Sequence, residues 1–238
     1  MATDTVSPAE QLALDFRRDP GATLHSFVAR GNEQVVAQIA ELAAPTRPFF
    51  YLSGAPGSGK SHLMQAACDV VSRHGGTAAY VPLADFSDRS AQCLEGLERL
   101  DLVALDGLEL IAGDAVWEEA VFHCFNRLQD SAGTLLVAAS GTPESIGIRL
   151  PDLVSRLQSV LRYRLRPPDD DQRREILNHQ AKLRGLTLPA ASVDYLLRRE
   201  VRSLGSLIAT LDRLDVASLQ YGRRLTVPFI REVLDARD

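Results

Sequence analysis

The chain has 238 residues, of which 45% are apolar and 24% charged, and these are the proportions of a globular protein rather than of a disordered or fibrous one. Its formal net charge of −5 argues against a surface that grips nucleic acid without specificity. The sequence lacks the run of roughly 20 apolar residues that a membrane span needs, and it lacks the start of a secretory leader. Its cysteines have no metal-binding spacing. We therefore expect a cytoplasmic protein that contacts no membrane.

The first 22 residues are mostly polar and contain Pro8, Pro20 and Gly21, which predicts a flexible arm over residues 1–22. An apolar string, Gln11-Leu12-Ala13-Leu14-Asp15-Phe16, interrupts this arm. A polar arm does not ordinarily expose three large apolar side chains so close together. The string therefore indicates either a binding element or a segment that packs on the body of the protein.

From Phe49 onward, short apolar runs alternate with amphipathic segments. Near-continuous apolar strands separated by helices are typical of a parallel sheet covered on both faces, so we predict an α/β domain over residues 23–167. Trp117 has helical spacing from Val121 and Phe125, which predicts a core position. The predicted strands are 49–52, 78–81, 102–105, 135–138 and 160–165, and the predicted helices are 60–73, 90–100 and 114–129.

Beyond Pro167-Pro168 the strand pattern stops. Two consecutive prolines fit neither a helix interior nor a central strand, so they mark a boundary. Asp169 or Asp170 can cap the first of the following helices, which we expect to end before Gly185. The sequence thus predicts an all-helical domain over residues 168–238. Its further helices are predicted near 190–200, 203–221 and 227–236.

A glycine-rich loop stands between the first predicted strand and the first predicted helix. Its sequence, Gly54-Ala55-Pro56-Gly57-Ser58-Gly59-Lys60-Ser61, satisfies the phosphate-binding pattern G-x-x-x-x-G-K-[ST] in full. Glycines allow successive backbone N–H groups to point into one concavity, and the helix that follows adds the positive end of its dipole. We expect Lys60 to reach the β- and γ-phosphates of a nucleotide and Ser61 to bind Mg²⁺.

The third predicted strand ends in Asp106, where a carboxylate that positions Mg²⁺ is expected. Nucleotide hydrolases of this kind usually carry a second acid directly afterwards to activate water, but this chain has Gly107. Glu109 follows two residues later and is a candidate substitute that the spacing does not require. The sequence therefore predicts nucleotide and Mg²⁺ binding and leaves hydrolysis open.

The fifth predicted strand carries a basic stripe. Arg162, Arg164 and Arg166 share one face, with Leu161, Tyr163 and Leu165 on the other. Such a stripe either binds a phosphate backbone or forms the solvated face of an edge strand, and we favour the edge strand.

These motifs resemble those of the AAA+ ATPases, and within them the branch that contains the bacterial replication initiator DnaA and its small regulatory homologue Hda. The resemblance covers nearly the whole chain and includes the loop 54–61, the strand that ends in Asp106, and the segments 150–157, 201–204 and 225–229. It implies a five-stranded parallel sheet with a helical lid, and ADP or ATP with Mg²⁺ bound between them.

The resemblance also implies roles for single residues. Arg156 matches an arginine finger, a guanidinium that stabilises phosphoryl-transfer charge on a neighbouring subunit's nucleotide. Arg202 matches the lid arginine that contacts the bound phosphates, and His62 adjoins the phosphate loop in the nucleotide site. The segment 27–32 stands where DnaA-like proteins place residues near adenine, although its spacing differs.

Two positions depart from the family pattern. Ser140 follows the fourth strand, where a phosphate-sensing residue that is usually Asp is expected, and Gly107 replaces the second acid. Both departures argue against fast hydrolysis by the chain itself. We expect a bound nucleotide, ADP, that shapes the subunit, and no turnover at or above about 1 s⁻¹.

The apolar string of the arm resembles Q-L-x-L-x-[LF], the hexapeptide that binds the bacterial sliding clamp, the beta subunit of DNA polymerase III. The resemblance implies that Gln11 hydrogen-bonds in a polar pocket, that Leu14 and Phe16 fill an apolar one, and that Leu12 belongs to the same string. DnaA continues past its lid into a module that reads DNA, whereas this sequence ends at Asp238. We therefore expect contact with DNA only indirectly, through the clamp.

Together these features predict an Hda-like negative regulator of replication initiation. Bound to the clamp, it would present Arg156 to ATP held by DnaA and promote conversion to the inactive ADP form. AAA+ sites usually lie between subunits, which leaves a nucleotide-dependent homodimer open. The alternatives are a self-sufficient AAA+ ATPase such as a helicase loader, and a non-catalytic DnaA-like adaptor.

Overall fold

One parallel sheet forms the centre of the larger part of the molecule. The computed structural model describes residues 19, 21–44, 48–86, 90–199 and 204–235. The described strands are β1 (Phe50–Ser53), β2 (Ala78–Pro82), β3 (Leu102–Asp106), β4 (Thr134–Ala139) and β5 (Leu161–Arg164). They lie in the order β2-β3-β4-β1-β5, and every neighbouring pair is parallel. The five-stranded parallel sheet expected from the sequence is confirmed.

Helices pack on both faces of this sheet. Successive strand side chains point to opposite faces. Tyr51 therefore joins a core with the helices 115–130 and 151–159, whereas Phe50 and Leu52 join a second core with the helices 33–40 and 60–73. Burial on both faces explains why β1, β2, β3 and β4 are almost entirely apolar, whereas β5 is largely exposed. The helices are α1 (Glu33–Ala40), α2 (Lys60–Arg73), α3 (Ala115–Asp130) and α4 (Pro151–Ser159).

The helices that flank the central strands agree closely with prediction. α2 begins and ends where the sequence predicts. α3 begins one residue after Asp114, whose side chain caps the helix by accepting from the backbone N–H groups of Val116 and Trp117. Trp117 is in the core, with 6% of its surface exposed. α1 was not predicted.

The helix predicted over residues 90–100 is wrong. The chain instead forms two 3₁₀ turns, Ala91–Leu94 and Leu97–Arg99. Gly96 lies between them with a φ of +82°, a left-handed conformation that a right-handed helix cannot contain. Leu94 and Leu97, one in each turn, pack on the sheet core.

Four further helices form the lid. A capping box starts the first of them, α5 (Asp170–Leu183), because the Asp169 side chain accepts from the Gln172 N–H while the Gln172 side chain accepts from the Asp169 N–H. The lid has its own core, which includes Leu177, Leu196 and Leu211. None of the described helices is long and apolar enough to cross a membrane. The lid helices are α5 (Asp170–Leu183), α6 (Ala190–Arg199), α7 (Leu204–Tyr221) and α8 (Val227–Asp235).

β5 is an edge strand of the described sheet, as predicted. Arg162 and Arg164 are exposed, and Arg162 lies 3.4 Å from a carboxylate oxygen of Glu144. The strand ends at Arg164, so Arg166 does not continue the stripe. The Arg166 backbone pairs instead with the side chain of Asn32, which accepts from its N–H at 2.9 Å and donates to its carbonyl at 3.2 Å.

Candidate nucleotide site

The glycine-rich loop joins the carboxyl end of β1 to the first turn of α2. Gly59 has a φ of +94°, and a Cβ at this position would lie 2.7 Å from Cε2 of Phe27. A Cβ on Gly54 would lie 2.6 Å from Oγ of Ser58. The path of the loop therefore depends on glycine at both positions. This path leaves the amino end of α2 facing the loop, which is the geometry that binds phosphate groups.

Lys60 is the first residue of α2, and its ammonium turns back over the loop. Nζ donates to the carbonyl of Gly54 at 2.6 Å and to that of Ala55 at 3.2 Å. Burial lowers the pKa of Lys60, and the nearby carboxylates of Glu109 and Asp106 oppose this shift. The cation of the loop is thus held close to the two acids that follow β3.

Tyr80 connects the two residues predicted to bind Mg²⁺. Its hydroxyl donates to Oδ2 of Asp106 at 2.7 Å, and the side chains of Ser61 and Gln65 interact with the same hydroxyl. Burial, together with the Asp106 carboxylate, raises the pKa of Tyr80, so the phenol stays protonated. Mg²⁺ is typically held by one or two protein oxygens together with phosphates and water. The hydroxyl of Ser61 and the carboxylate of Asp106 therefore fit this ion.

The turn that follows β3 lies beside the loop, across the end of β4. The N–H of Gly107 donates to the carbonyl of Ala138 at 3.0 Å, and the N–H of Gly54 donates to that of Ala139 at 3.2 Å. Gly107 has a φ of +87° and leads into a 3₁₀ turn that contains Glu109. Oε2 of Glu109 is buried and has no hydrogen-bond partner among the described residues.

A cleft opens beside the loop, between the sheet and the lid. Ser58 and Gly59 of the loop line it, and Leu204 and Ile208 line it from α7. Its walls combine apolar and polar groups, as a pocket for a base and a sugar requires. The segment 27–32, expected near adenine, contributes Phe27, Val28, Arg30 and Asn32.

Side chains of α5 attach the lid to residues 25–30. Each of three α5 side chains pairs with a backbone carbonyl of this stretch, in which Ser26 and Arg30 line the cleft, so the cleft wall and the lid are held in one arrangement. Gln180 is buried, and its Oε1 also accepts from Nη1 of Arg184 at 2.7 Å. The pairs are Gln172 Nε2 with the Arg30 carbonyl at 2.8 Å, Gln180 Nε2 with the Ser26 carbonyl at 2.9 Å, and His179 Nε2 with the His25 carbonyl at 2.9 Å.

His62 lines the same cleft from α2. Its Nε2 lies 3.0 Å from the carbonyl of Thr23 and 3.1 Å from Oγ of Ser26. Burial lowers the pKa of His62, which favours the neutral ring. The residue predicted to contact the nucleotide therefore also fixes the wall of the cleft.

Arg156 lies on α4 and is exposed. Its guanidinium carbon is 5.7 Å from the centre of the Phe125 ring, and Nη1 is 3.4 Å from Oε1 of Gln129. Both partners belong to α3. Neither contact is short, so the guanidinium can adopt another rotamer at little cost.

The start of α4 is fixed by a second residue of α3. Glu118 is buried, with 1% of its surface exposed. Its carboxylate accepts from the backbone N–H groups of Gly113 at 2.6 Å, Arg149 at 3.0 Å and Leu150 at 2.8 Å. Leu150 precedes the first residue of α4, so a carboxylate from α3 caps the helix that carries Arg156.

Two family models match the chain. The bacterial DnaA ATPase domain matches residues 21–165, and the Hda lid domain matches residues 170–234. The chain belongs to the DnaA-related AAA+ ATPases. The resemblance to DnaA and Hda inferred from the motifs is confirmed.

Solved structures of other AAA+ proteins share this fold. Domain III of the Thermotoga maritima replication initiation protein DnaA is 23% identical, over 92% of this chain and 98% of its own, with a TM-score of 0.76. AMPPCP-bound DnaA from Aquifex aeolicus is 24% identical, over 85% of this chain and 68% of its own, with a TM-score of 0.67. The T. maritima RuvB Holliday junction branch migration motor is 16% identical, over 92% and 72%, with a TM-score of 0.65.

The AAA+ fold brings several of the predicted site residues together. The loop 54–61 and Asp106 meet through Lys60 and Tyr80, and His62 lines the adjoining cleft. Ser140 is exposed directly after β4. Arg156 instead contacts α3. Five predicted site residues lie outside the described residues, and their roles stay predictions. They are Gln11, Leu12, Leu14 and Phe16, predicted to bind the clamp, and Arg202, predicted to contact the nucleotide phosphates from the lid.

Sequence reasoning missed Tyr80, Glu118 and the lid glutamines. Nothing in the β2 sequence identifies the hydroxyl of Tyr80 as a partner of Asp106. A signal did exist for Glu118, because it lies three and seven residues before the buried Val121 and Phe125 on the apolar face of α3. A carboxylate on a buried face requires hydrogen-bond donors, so it predicts a partner.

Proposed function

We propose that this protein binds an adenine nucleotide with Mg²⁺ in the cleft and stimulates hydrolysis of ATP bound to DnaA. The observation that carries this proposal is the exposed, loosely held guanidinium of Arg156 on a DnaA-type domain that bears an Hda-type lid. The AMPPCP-bound DnaA of A. aeolicus supports the choice of an adenine nucleotide.

Residues of the cleft have separate tasks in this proposal. The amino end of α2 and the ammonium of Lys60 bind the phosphates, while Ser61 and Asp106 hold Mg²⁺ and Tyr80 orients Asp106. The bound ion would neutralise phosphate charge. Phe27 and the lid enclose the base and sugar. Nucleotide binding would thereby join the sheet and the lid into one surface.

Arg156 acts in the proposal on the nucleotide of the partner. A guanidinium is always charged and can donate to two phosphate oxygens at once, so it stabilises the charge that develops as water attacks the γ-phosphorus. The outcome is ADP and inorganic phosphate on DnaA. The capping of α4 by Glu118 sets the position from which the guanidinium reaches out.

Attachment to the clamp, and through it to DNA, is the second part of the proposal. Its support is the string Gln11-Leu12-Ala13-Leu14-Asp15-Phe16, which resembles the clamp-binding hexapeptide. A short anchor of this kind is weak by itself, but on a clamp it raises the effective concentration of the protein near DnaA.

The test is hydrolysis of DnaA-bound ATP in the presence of clamp-loaded DNA. We expect wild type to accelerate hydrolysis. Arg156→Ala should still bind the clamp but lose at least tenfold of that acceleration. Gln11→Ala, or removal of residues 1–20, should lose clamp binding and acceleration together. Arg231→Ala is the matched control, since Arg231 is exposed and lies 5.2 Å over the ring of Tyr195 in the lid.

The same experiment separates the alternatives. Acceleration by Arg156→Ala equal to that of wild type would contradict the arginine role and favour a non-catalytic adaptor. Turnover of free ATP at or above about 1 s⁻¹ without DnaA would favour a self-sufficient ATPase such as a helicase loader.

A further inference from the structure

We propose that Glu109 orients and deprotonates the attacking water in slow hydrolysis of the chain's own ATP, so that the ADP form is made in place. The inference rests on the proposed binding of nucleotide in the cleft. It assigns a catalytic carboxylate to a site whose sequence has Gly107 where the second acid is expected.

The backbone places the turn of Glu109 next to the phosphate loop. Gly107 and Gly54 donate their N–H groups to consecutive carbonyls at the end of β4, those of Ala138 and Ala139. The left-handed conformation of Gly107 reverses the chain immediately after Asp106. A side chain two residues beyond that reversal can return toward the carboxyl end of the sheet, where the loop lies.

The charges around Glu109 agree with this placement. The negative charge of Glu109, like that of Asp106, raises the pKa of Lys60 against the effect of burial. The same charge contributes to the raised pKa of Tyr51. The hydroxyl of Tyr51 donates to the carbonyl of Gly141 at 2.9 Å, in the segment that follows β4. Glu109 therefore lies near both the phosphate-binding lysine and the loop after β4, which are the two elements expected to border a γ-phosphate.

One carboxylate oxygen of Glu109 lacks a hydrogen-bond donor within the described part of the chain. Oε2 is buried and has no hydrogen-bond partner among the described residues, and an unsatisfied buried acceptor is unfavourable. A water molecule next to a bound triphosphate would supply the missing donor. A carboxylate that accepts from such a water is suited to orient it and to take its proton.

The step balances without a further reactant. The water oxygen bonds to the γ-phosphorus, the bond from that phosphorus to the bridging oxygen breaks, and ADP leaves with the electron pair. The proton released by the water passes to the Glu109 carboxylate and then to the free phosphate. Lys60 stays with the phosphate oxygens throughout.

A single-turnover experiment tests this role. The nucleotide-free chain is loaded with less than one equivalent of γ-labelled ATP and Mg²⁺, and the release of phosphate is followed over hours. We expect wild type to convert its bound ATP at well below about 1 s⁻¹, and Glu109→Gln to be slower by at least tenfold. Glu119→Gln is the control, because Glu119 is exposed on α3.

Equilibrium binding of AMPPCP and of ADP supplies a readout that does not depend on turnover. We expect both dissociation constants of Glu109→Gln to stay within about threefold of wild type, because the carboxylate acts on water rather than on the nucleotide. Unchanged hydrolysis by Glu109→Gln, no conversion by wild type, or a tenfold loss of AMPPCP affinity would each overturn the assignment. Failure of wild type to bind either nucleotide would instead overturn the proposed function.

Discussion

Glu118 illustrates how one side chain fixes the place of a functional helix. A carboxylate with 1% exposure is removed from water, yet the N–H groups of Gly113, Arg149 and Leu150 all donate to it. Several backbone donors together stabilise a buried carboxylate. The position of α4 relative to α3 therefore depends on the charge and the acceptors of this one residue.

Replacing Glu118 with Gln is expected to lower the free energy of unfolding by about 2–3 kcal/mol. The amide keeps one acceptor oxygen, but its NH₂ group faces backbone donors that it cannot satisfy. Chemical denaturation measures the change, with the exposed Glu119→Gln as a control that should stay within about 0.5 kcal/mol of wild type. A Glu118→Gln protein as stable as that control would contradict the role given to the carboxylate.

At the scale of elements, α4 is fixed near its start and near its end, while Arg156 in its middle is held only loosely. α3 supplies Glu118 at its start and contacts Arg156 in its middle, while Gln158 near its end donates to Oε1 of Glu144 at 2.6 Å. Glu144 belongs to the segment after β4, and it also pairs with Arg162 of β5. The helix that carries the proposed arginine finger is thus joined, through Glu144, both to the edge strand β5 and to the segment that follows β4.

The pKa of Glu144 depends on its hydrogen bonds to α4 and to the segment after β4. Hydrogen bonds from the Thr142 side chain, from its own backbone and from Gln158 lower it from 4.5 to about 2. Since the folded pKa lies below the ordinary one, these contacts contribute stability above pH 4.5 and lose it as the pH falls toward 2. We expect Thr142→Val to raise the Glu144 pKa toward 4.5 in an NMR titration; an unchanged value would contradict the contact.

Local pattern predicted the elements well and their long-range contacts poorly. The strands, α2, α3, the phosphate loop and the cap of α5 depend on neighbouring residues, and periodicity or spacing identifies them. The helix predicted over 90–100 failed because one left-handed glycine, Gly96, overrides an apolar period. The pairing of Tyr80 with Asp106 joins residues 26 positions apart, and that of Gln172 with the Arg30 carbonyl spans 142. Such pairs are determined by the tertiary fold, so the residues next to either partner in the sequence do not predict them.

At the scale of the whole molecule, the lid is connected to the sheet through the wall of the nucleotide cleft. α5 side chains pair with carbonyls of the segment 25–30, and this segment lines the cleft together with α7 residues. We therefore expect changes in the cleft to be coupled to the orientation of the lid through this stretch of backbone.

Gln180→Ala tests this coupling. The substitution leaves the Ser26 carbonyl and the Arg184 guanidinium each without one partner, so we expect it to lower the free energy of unfolding by about 1–2 kcal/mol and to weaken ADP binding several-fold. Calorimetric titration and denaturation measure the two effects. Asn178→Ala is the control, because Asn178 is exposed on the same helix. Loss of stability with unchanged ADP affinity would show that lid and cleft act separately.

The exposed edge of β5 has a consequence for how copies of the protein meet. An open strand offers unpaired backbone groups to any similar strand, and two sheets can fuse into a continuous ribbon through such edges. Here Arg162 and Arg164 stand along that edge, so a second copy arriving edge to edge would bring guanidinium against guanidinium. We therefore expect these two arginines to disfavour edge-to-edge pairing of two copies of the protein.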